Sequence, residues 1–156
     1  MFPPHFIIAT RIGTGLEIGS KKRLLEVLGE LLATDDPALQ PETVFERLLD
    51  RERLGSTGLG HGIALPHARM KDVREAIGAF VQLQHGIDFD AIDEKPVDLA
   101  FALLVPESAT EMHLQLLSRL ATMFSDPALR DRLRRTDSAE DILGLLEGWE
   151  EQPRDA

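Results

Sequence analysis

The chain has 156 residues, 43% of them hydrophobic and 28% charged, a composition typical of one soluble globular domain over residues 1–156. Asp and Glu outnumber Lys and Arg by 27 to 17, and this net charge of -10 argues against nucleic-acid binding, which needs a basic surface. The absence of cysteine excludes disulfides, thiolate metal ligands and a cysteine nucleophile. No signal peptide or membrane-length apolar stretch is recognisable, so we expect a cytoplasmic protein without membrane insertion.

Two amphipathic helices are predicted in the first part of the chain. Leucines recur at three- and four-residue spacing from Leu24 to Leu32, and Ser20 is a suitable N-cap for this helix. Pro41 fits the first turn of a second helix in PETVFERLLDRERL, because proline has no N–H to leave unsatisfied there. The apolar residues of this second segment also share one helix face.

Strands are predicted in the middle of the chain. GIALPH is expected to form a short strand that Pro66 terminates, because proline cannot donate a hydrogen bond to a neighbouring strand. The apolar runs Ala76–Leu83 and Val97–Pro106 have strand length, and the second is continuous enough for a central strand. The intervening GIDFDAIDEKP is predicted to be a loop with at most one short edge strand.

Three helices are predicted in the last third of the chain, over Thr110–Ser125, after Asp126 as a cap, and after Asp137 or Ser138 as a cap. Residues 148–156 are expected to form a loose tail. Strands and helices in this order predict an α/β fold, a single-domain sandwich in which a mixed β-sheet is flanked by helices on both faces.

The glycine-rich stretch GSTGLGHGIALPHAR, residues 55–69, permits several interpretations. A nucleotide-binding loop is disfavoured, because no GK[ST] occurs and a helix, not a strand, precedes the glycines. A metal site is disfavoured, because the five histidines show neither HExxH nor a paired spacing on one helix face. Taken alone, the pattern favours a tight turn and an edge strand.

His67 gives the stretch a further interpretation as a nucleophilic site. A neutral imidazole has a pKa near 6.5, so a nucleophilic nitrogen is available at neutral pH. Pro66 stiffens the chain just before it, and the bare glycines would let the backbone of another protein approach closely. These features suit a group that is handed from one protein to another, and on this interpretation the glycines clear a surface around His67.

His113 and Arg51 are candidate partners of His67. His113 opens a predicted helix and shares its apolar face, so it is either a satisfied core histidine or a neutral donor to an anion near the helix N-terminus. Arg51 ends the helix before the glycines, and is either a solvated charge or a guanidinium fork for phosphoryl oxygens. Arg53 and Arg69 are weaker choices for that role.

Three segments together resemble the EIIA domain of the phosphoenolpyruvate-dependent phosphotransferase system, of the mannitol/fructose type and most closely its nitrogen-related branch. They are RERLGSTGLGHGIALPHAR, VQLQHGIDFDAIDEKPVDLAFALLVPES and MHLQLLSRLA. The resemblance covers about Leu16 to Leu146, which is the expected domain core. It implies a mixed sheet flanked by helices.

The resemblance also implies a role for each site residue. His67 matches the histidine that is phosphorylated on Nε2 by an HPr-type or NPr-type phosphocarrier protein. His113 matches the histidine that steadies the phosphoryl group, Arg51 matches a phosphate contact, and Ser56 and Thr57 match a hydroxyl pair near the site. It implies no cofactor and no metal.

The function that the resemblance implies is that of a phosphotransferase component, a phosphoryl-accepting regulator that signals to downstream protein targets through its phosphorylation state. The alternative is a sugar-specific EIIA that passes phosphate to a separate EIIB component, and a third possibility is an interaction module whose histidine is unused. Ala68 departs from the family pattern, which has glycine after the phosphorylated histidine. His61 is expected to be a residue on the rim of the site.

Overall fold

The computed structural model describes residues 2–149, and within them the chain forms six strands and five α-helices. The strands are β1 (Ile12–Leu16), β2 (Gly58–Gly60), β3 (Ile63–Ala64), β4 (His67–Met70), β5 (Ile77–Ile87) and β6 (Val97–Pro106). The helices are α1 (Lys21–Ala33), α2 (Pro41–Arg53), α3 (Thr110–Phe124), α4 (Pro127–Arg135) and α5 (Ala139–Gly148). A short 3₁₀ turn over Ala9–Arg11 precedes β1. Among residues 2–149, no helix is both long and apolar enough to cross a membrane.

The strands form one mixed sheet in the order β1-β5-β6-β3-β2, with β4 also paired to β6. β5 and β6 are antiparallel, as are β2 and β3, whereas β1 runs parallel to β5 and both β3 and β4 run parallel to β6. β6 is therefore central, as its continuous apolar run predicts, and all but two of its residues are buried.

Helices cover both faces of the sheet, which confirms the predicted α/β architecture. Side chains of β5 alternate between two buried clusters, because successive residues of a strand point to opposite faces. Val81 packs with the leucines of α1 and α2 on one face, while Phe80 packs with residues of α3, α4 and α5 on the other. The first buried cluster also receives Ala68 and Met70 of β4, so His67 points to the opposite face, where α3 lies.

The helix caps follow the sequence signals. Ser20 Oγ accepts a hydrogen bond from the Arg23 backbone N–H at 3.1 Å, and Pro41 is the first residue of α2. Asp126 caps α4. Ser138 caps α5 by accepting from the Asp141 N–H, which decides between the two candidates for that position.

The short strand ends before Pro66 as predicted, at Ala64, but the prediction missed that pairing with β6 continues on the other side of this proline. Ile63 pairs with Leu99 of β6 and His67 pairs with Leu103, so β3 and β4 lie in line in one register. Proline lacks only the donor of a ladder bond, and its carbonyl still accepts from the Leu103 N–H at 2.9 Å. Pairing therefore resumes at once, and His67 begins a strand.

Two further differences concern the ends of the sheet. β1 is absent from the sequence prediction, because its IGTGL has two glycines and no clear alternation. β5 continues to Ile87, four residues beyond the predicted end at Leu83, through a polar stretch that the apolar run does not mark. The predicted tail falls mainly on residues 150–156, which lie outside the described residues.

Candidate functional site

The first residue of β4, the end of α2 and the start of α3 meet around a cavity of about 780 Å³. Its lining contains four basic side chains, Arg47, Arg51, Arg69 and Lys71, and only two acidic ones, Asp50 and Glu107. The cavity is thus locally positive in a chain of net charge -10. A positively charged hollow of this kind favours an anionic ligand.

Two histidines face each other in this cavity. The rings of His67 and His113 have centroids 5.2 Å apart and planes at 72°. The structure therefore brings together the two histidines that the sequence singles out, from positions 46 residues apart in the chain.

The tautomer of His67 is set by its backbone partner. Nδ1 lies 2.8 Å from the carbonyl oxygen of Leu65, which can only accept a hydrogen bond. Nδ1 therefore carries the proton and donates, and Nε2 keeps its lone pair. An imidazole held in this way presents a nucleophilic nitrogen on the side away from Leu65.

The environment also keeps His67 neutral. Burial lowers the pKa of His67 below its usual value of 6.5, and the positive charge of Arg51 lowers the pKa further. The hydrogen bond to the Leu65 carbonyl and the negative charge of Glu52 act in the opposite direction and offset part of this effect. The imidazole is consequently uncharged, and nucleophilic, at neutral pH.

His113 carries a buried nitrogen that lacks a partner. Its Nε2 has no hydrogen-bond partner among residues 2–149, although buried polar atoms are nearly always paired. Burial, and after it the nearby His67, Arg69 and Arg51, lower the pKa of His113 from 6.5 to about 4. The predicted alternative of a satisfied core histidine does not match this environment, because the Nε2 nitrogen is buried without a partner among the described residues.

We expect His113 to make folding stability depend on pH. Because its pKa is about 4 in the folded chain and 6.5 when unfolded, the unfolded chain takes up the proton first as the pH falls. The free energy of unfolding of the wild type should therefore decrease, relative to that of His113→Gln, as the pH falls through this window. Urea denaturation of both proteins at several pH values measures the difference, and a difference independent of pH would contradict the assignment.

Arg51 lies in the last turn of α2 and lines the same cavity. Its Nη1 donates to the Gly55 carbonyl at 2.9 Å, which holds the guanidinium across the turn that follows the helix. The neighbouring carboxylates have other partners, since Asp50 pairs with Arg53 and Glu52 with Lys21. The remaining donors of the Arg51 fork are available to an anion in the cavity.

Ser56 and Thr57 are not brought into this cavity. The Ser56 hydroxyl donates to the Phe89 carbonyl at 3.0 Å, and the Thr57 hydroxyl donates to Glu52 Oε2 at 2.6 Å. Neither residue is part of the cavity lining, and both hydroxyls hold the loop after α2 in place. Ser56 and Thr57 therefore support the loop after α2 and do not line the cavity.

The glycines and His61 form a β-hairpin, not a cleared surface around His67. His61 and Gly62 have φ of 57° and 80°, as the two central residues of a tight hairpin turn between β2 and β3 require. A Cβ on Gly58 would lie 2.8 Å from the Cβ of Ala91, so this glycine allows close packing of the following loop. None of these residues lines the cavity, and the turn-and-edge-strand interpretation is confirmed for them.

Ala68 takes an ordinary extended conformation. It pairs with Leu104, is 7% exposed, and does not have the positive φ that would favour glycine. Its methyl group joins the buried cluster under α1 and α2. Alanine after the active histidine is therefore compatible with the fold.

Arg69, a weaker candidate in the sequence, lines the cavity. The signal that could have found it is the two-residue period of a strand, which puts Arg69 on the same face of β4 as His67. Because the strand is predicted to end at Pro66, this two-residue period is not applied to residues 67–70.

Comparisons with known proteins agree with this geometry. The family described as "Phosphoenolpyruvate-dependent sugar phosphotransferase system, EIIA 2" matches residues 6–149. The nitrogen regulatory protein of Pseudomonas aeruginosa is 51% identical over 82% of this chain and 83% of its own length. The crystal structure of nitrogen regulatory protein IIA-Ntr from Neisseria meningitidis has a TM-score of 0.85 and 46% identity, over 90% of this chain and 96% of that one.

The mannitol-specific branch is more distant. Enzyme IIA mannitol of Escherichia coli, in its complex with phosphorylated enzyme IIB mannitol, has a TM-score of 0.77 and 28% identity, over 92% of this chain and 98% of that one. The family match, the relatives and the fold concur with the resemblance in the sequence. The chain belongs to the EIIA 2 family of the phosphoenolpyruvate-dependent sugar phosphotransferase system.

Proposed function

We propose that this protein is a phosphoryl-accepting regulator of a nitrogen-related phosphotransferase system, phosphorylated on His67 by an HPr-type or NPr-type phosphocarrier. The observation that carries the proposal is the arrangement of two imidazoles in a basic cavity. His67 is fixed with Nδ1 protonated, and its ring lies 5.2 Å, centroid to centroid, from the ring of His113, whose Nε2 has no partner among the described residues.

The transfer step follows from this arrangement. The lone pair of His67 Nε2 attacks the phosphorus of the carrier's phosphohistidine, and a new N–P bond forms while the carrier's N–P bond breaks. The electron pair of the broken bond returns to the carrier's imidazole, and the His67 proton stays on Nδ1, bonded to Leu65. Arg51 and His113 donate hydrogen bonds to the phosphoryl oxygens, so the protein mainly positions groups and stabilises charge.

Two exposed leucines support a protein as the phosphoryl donor. Leu54 is 85% exposed and Leu114 is 68% exposed, and both stand at the mouth of the His67 cavity. Large apolar side chains exposed next to a charged site are typical of protein–protein contact surfaces. A protein donor would cover these two side chains on binding, whereas a small phosphate donor would leave them exposed.

The regulatory role is supported by the relatives named nitrogen regulatory protein, two of which are 51% and 47% identical to this chain over 128 and 138 aligned residues. The alternative is a sugar-specific EIIA that passes phosphate to an EIIB component. It is supported by the IIA mannitol structure, which is named as a complex with phosphorylated IIB. In both cases the protein acts as a phosphotransferase component, and the roles differ in the next acceptor.

A reconstituted phosphorelay tests the proposal. The protein is incubated with phosphoenolpyruvate, an enzyme I-type kinase and an HPr-type or NPr-type carrier, and acid-labile phosphate on the protein is measured. We expect stoichiometric labelling. Affinity capture from lysate with the phosphorylated and unphosphorylated forms then separates the two roles: a target bound by one form only supports the regulator, and discharge to an added fructose-type or mannitol-type EIIB supports the alternative.

A further inference from the structure

We propose that Glu52 is a positioning residue for His67, because its carboxylate anchors the segment whose carbonyl fixes the His67 imidazole. This inference rests on the phosphoryl-accepting role proposed for His67. Glu52 does not line the cavity and contacts no phosphoryl group on this assignment. It acts through two intervening residues, Thr57 and Leu65.

The Glu52 carboxylate is buried and fully engaged. Its side chain is 2% exposed, and an isolated carboxylate in such a place would be very costly. Oε1 accepts from the Thr57 backbone N–H at 2.9 Å and from Lys21 Nζ at 2.9 Å, while Oε2 accepts from the Thr57 hydroxyl at 2.6 Å. Two of the three bonds therefore hold one residue, Thr57, by both its main chain and its side chain.

Lys21 is itself fixed, which makes the anchor rigid. It is the first residue of α1, its ammonium lies 4.6 Å from the centroid of the Phe89 ring, and Asp90 Oδ2 is 3.5 Å away. The Glu52–Lys21 pair thus ties the end of α2 to the start of α1. Thr57 is therefore bonded to a residue that is itself fixed between two helices.

The hydrogen bonds continue from Thr57 to the imidazole. The Thr57 carbonyl accepts from the Leu65 N–H at 3.0 Å, and the Leu65 carbonyl accepts from His67 Nδ1 at 2.8 Å. Leu65 lies in the break between β3 and β4, and its N–H bonds to Thr57 on the side away from β6. A displacement of Thr57 would therefore move the carbonyl that sets the tautomer of His67.

The charge of Glu52 reinforces this placement. It raises the pKa of His67 and so opposes the effect of burial, while Arg51 on the same helix lowers the pKa. The other charged or titratable groups that line the cavity with His67 are Arg47 and Asp50 on α2, Arg69 on its own strand, Lys71 after β4, Glu107 after β6, and His113 on α3. A more basic Nε2 is a better nucleophile, so the position and the charge of Glu52 both favour transfer.

The test is heteronuclear NMR of the His67 ring nitrogens in the unphosphorylated full-length protein. In the wild type we expect the Nδ1–H tautomer to predominate. In Glu52→Ala the anchor is lost, and we expect the Nε2–H tautomer to appear and phosphoryl transfer from the carrier to slow by about 10-fold to 100-fold. In Glu52→Gln the amide oxygen still accepts from Thr57, so the tautomer should be kept while the pKa of His67 falls.

Two further variants separate positioning from general loss of stability. Thr57→Val removes only the hydroxyl bond to Glu52, so it should change the tautomer population in the same direction as Glu52→Ala but by less. Gln82→Met is the matched control: Gln82 of β5 is another buried polar residue, but its amide donates to the carbonyls of Leu133 and Thr136, away from His67. It should lower stability and leave the His67 tautomer and labelling rate unchanged.

The result that overturns the inference is an unchanged His67 tautomer in folded Glu52→Ala, or in Thr57→Val should Glu52→Ala not fold. A tautomer change of the same size in Gln82→Met also overturns it. These outcomes are distinct from failure of the proposed function, in which the wild type itself takes up no phosphate. The NMR measurement needs no phosphorylation and remains decisive in that case.

Discussion

Replacement of His67 by alanine should abolish acid-labile phosphorylation, whereas replacement of His61 should leave it intact. The reason is that His67 combines a protonated Nδ1, an Nε2 that keeps its lone pair, and a place in the basic cavity. His61 lies in the hairpin turn, where its backbone N–H donates to Asp93 and its carbonyl accepts from Arg134. Its imidazole makes no contribution to the cavity lining.

The measurement is phosphate incorporation from phosphoenolpyruvate through the kinase and carrier, compared among the wild type, His67→Ala and His61→Ala. Unfolding curves serve as the folding control, because His67 is only partly buried and its truncation should be tolerated. Equal labelling of His67→Ala and the wild type would disprove the assignment of the nucleophile. Equal loss of labelling in both variants would place the reaction elsewhere or show that the hairpin is needed.

Loss of His113 should slow phosphoryl transfer strongly without abolishing it. His113 lines the cavity beside the ring of His67 and has an Nε2 without a partner in the described part of the chain, and as a neutral imidazole it can donate to an oxygen on which charge develops. Removal of one such preorganised donor costs about 100-fold to 1,000-fold in rate. We expect a decrease of this size in His113→Ala, with a final labelling level that still approaches that of the wild type.

Rapid-quench kinetics of transfer from the phosphorylated carrier measure this effect. Gln115→Ala is the matched control, because Gln115 is exposed on the same helix and lies outside the His67 cavity. His113→Gln should lie between the wild type and His113→Ala, since its amide can also donate. A rate for His113→Ala within about twofold of the wild type would contradict a phosphoryl-stabilising role.

The helices of this fold can be predicted from the sequence, because the signals that start a helix lie in its own first residues. Ser20, Pro41 and Asp126 each act on their own helix terminus, so their effect does not depend on the remainder of the fold. β1 could not be predicted in this way, because IGTGL has low strand propensity and is held by its parallel pairing to β5. The continuation of the sheet past Pro66 likewise depends on β6, which the local sequence does not reveal.

The residues of the site differ in the same way: some can be predicted from the sequence and others depend on tertiary contacts. His67, His113 and Arg51 were identified by residue type and by resemblance, and the structure brings all three to one cavity. Glu52 is not predicted as a residue of the site, because a glutamate beside arginines at a helix end has the pattern of a solvated residue. Glu52 is buried because Lys21 and Thr57 both contact its carboxylate. These are tertiary contacts, and no local sequence pattern predicts them.

The hydrogen-bond partner of His67 Nδ1 is a backbone carbonyl. The identity of this partner affects how easily the N–P bond of the phosphorylated imidazole breaks. A carboxylate in that position would form a charge-assisted bond, roughly twice as strong, and would make the imidazole more basic. A more basic nitrogen is a poorer leaving group, so the N–P bond would be harder to break in the next transfer. The neutral carbonyl of Leu65 orients the ring while keeping the phosphorylated imidazole a good leaving group. The same hydrogen bond that prepares His67 to receive the group therefore also allows His67 to surrender it.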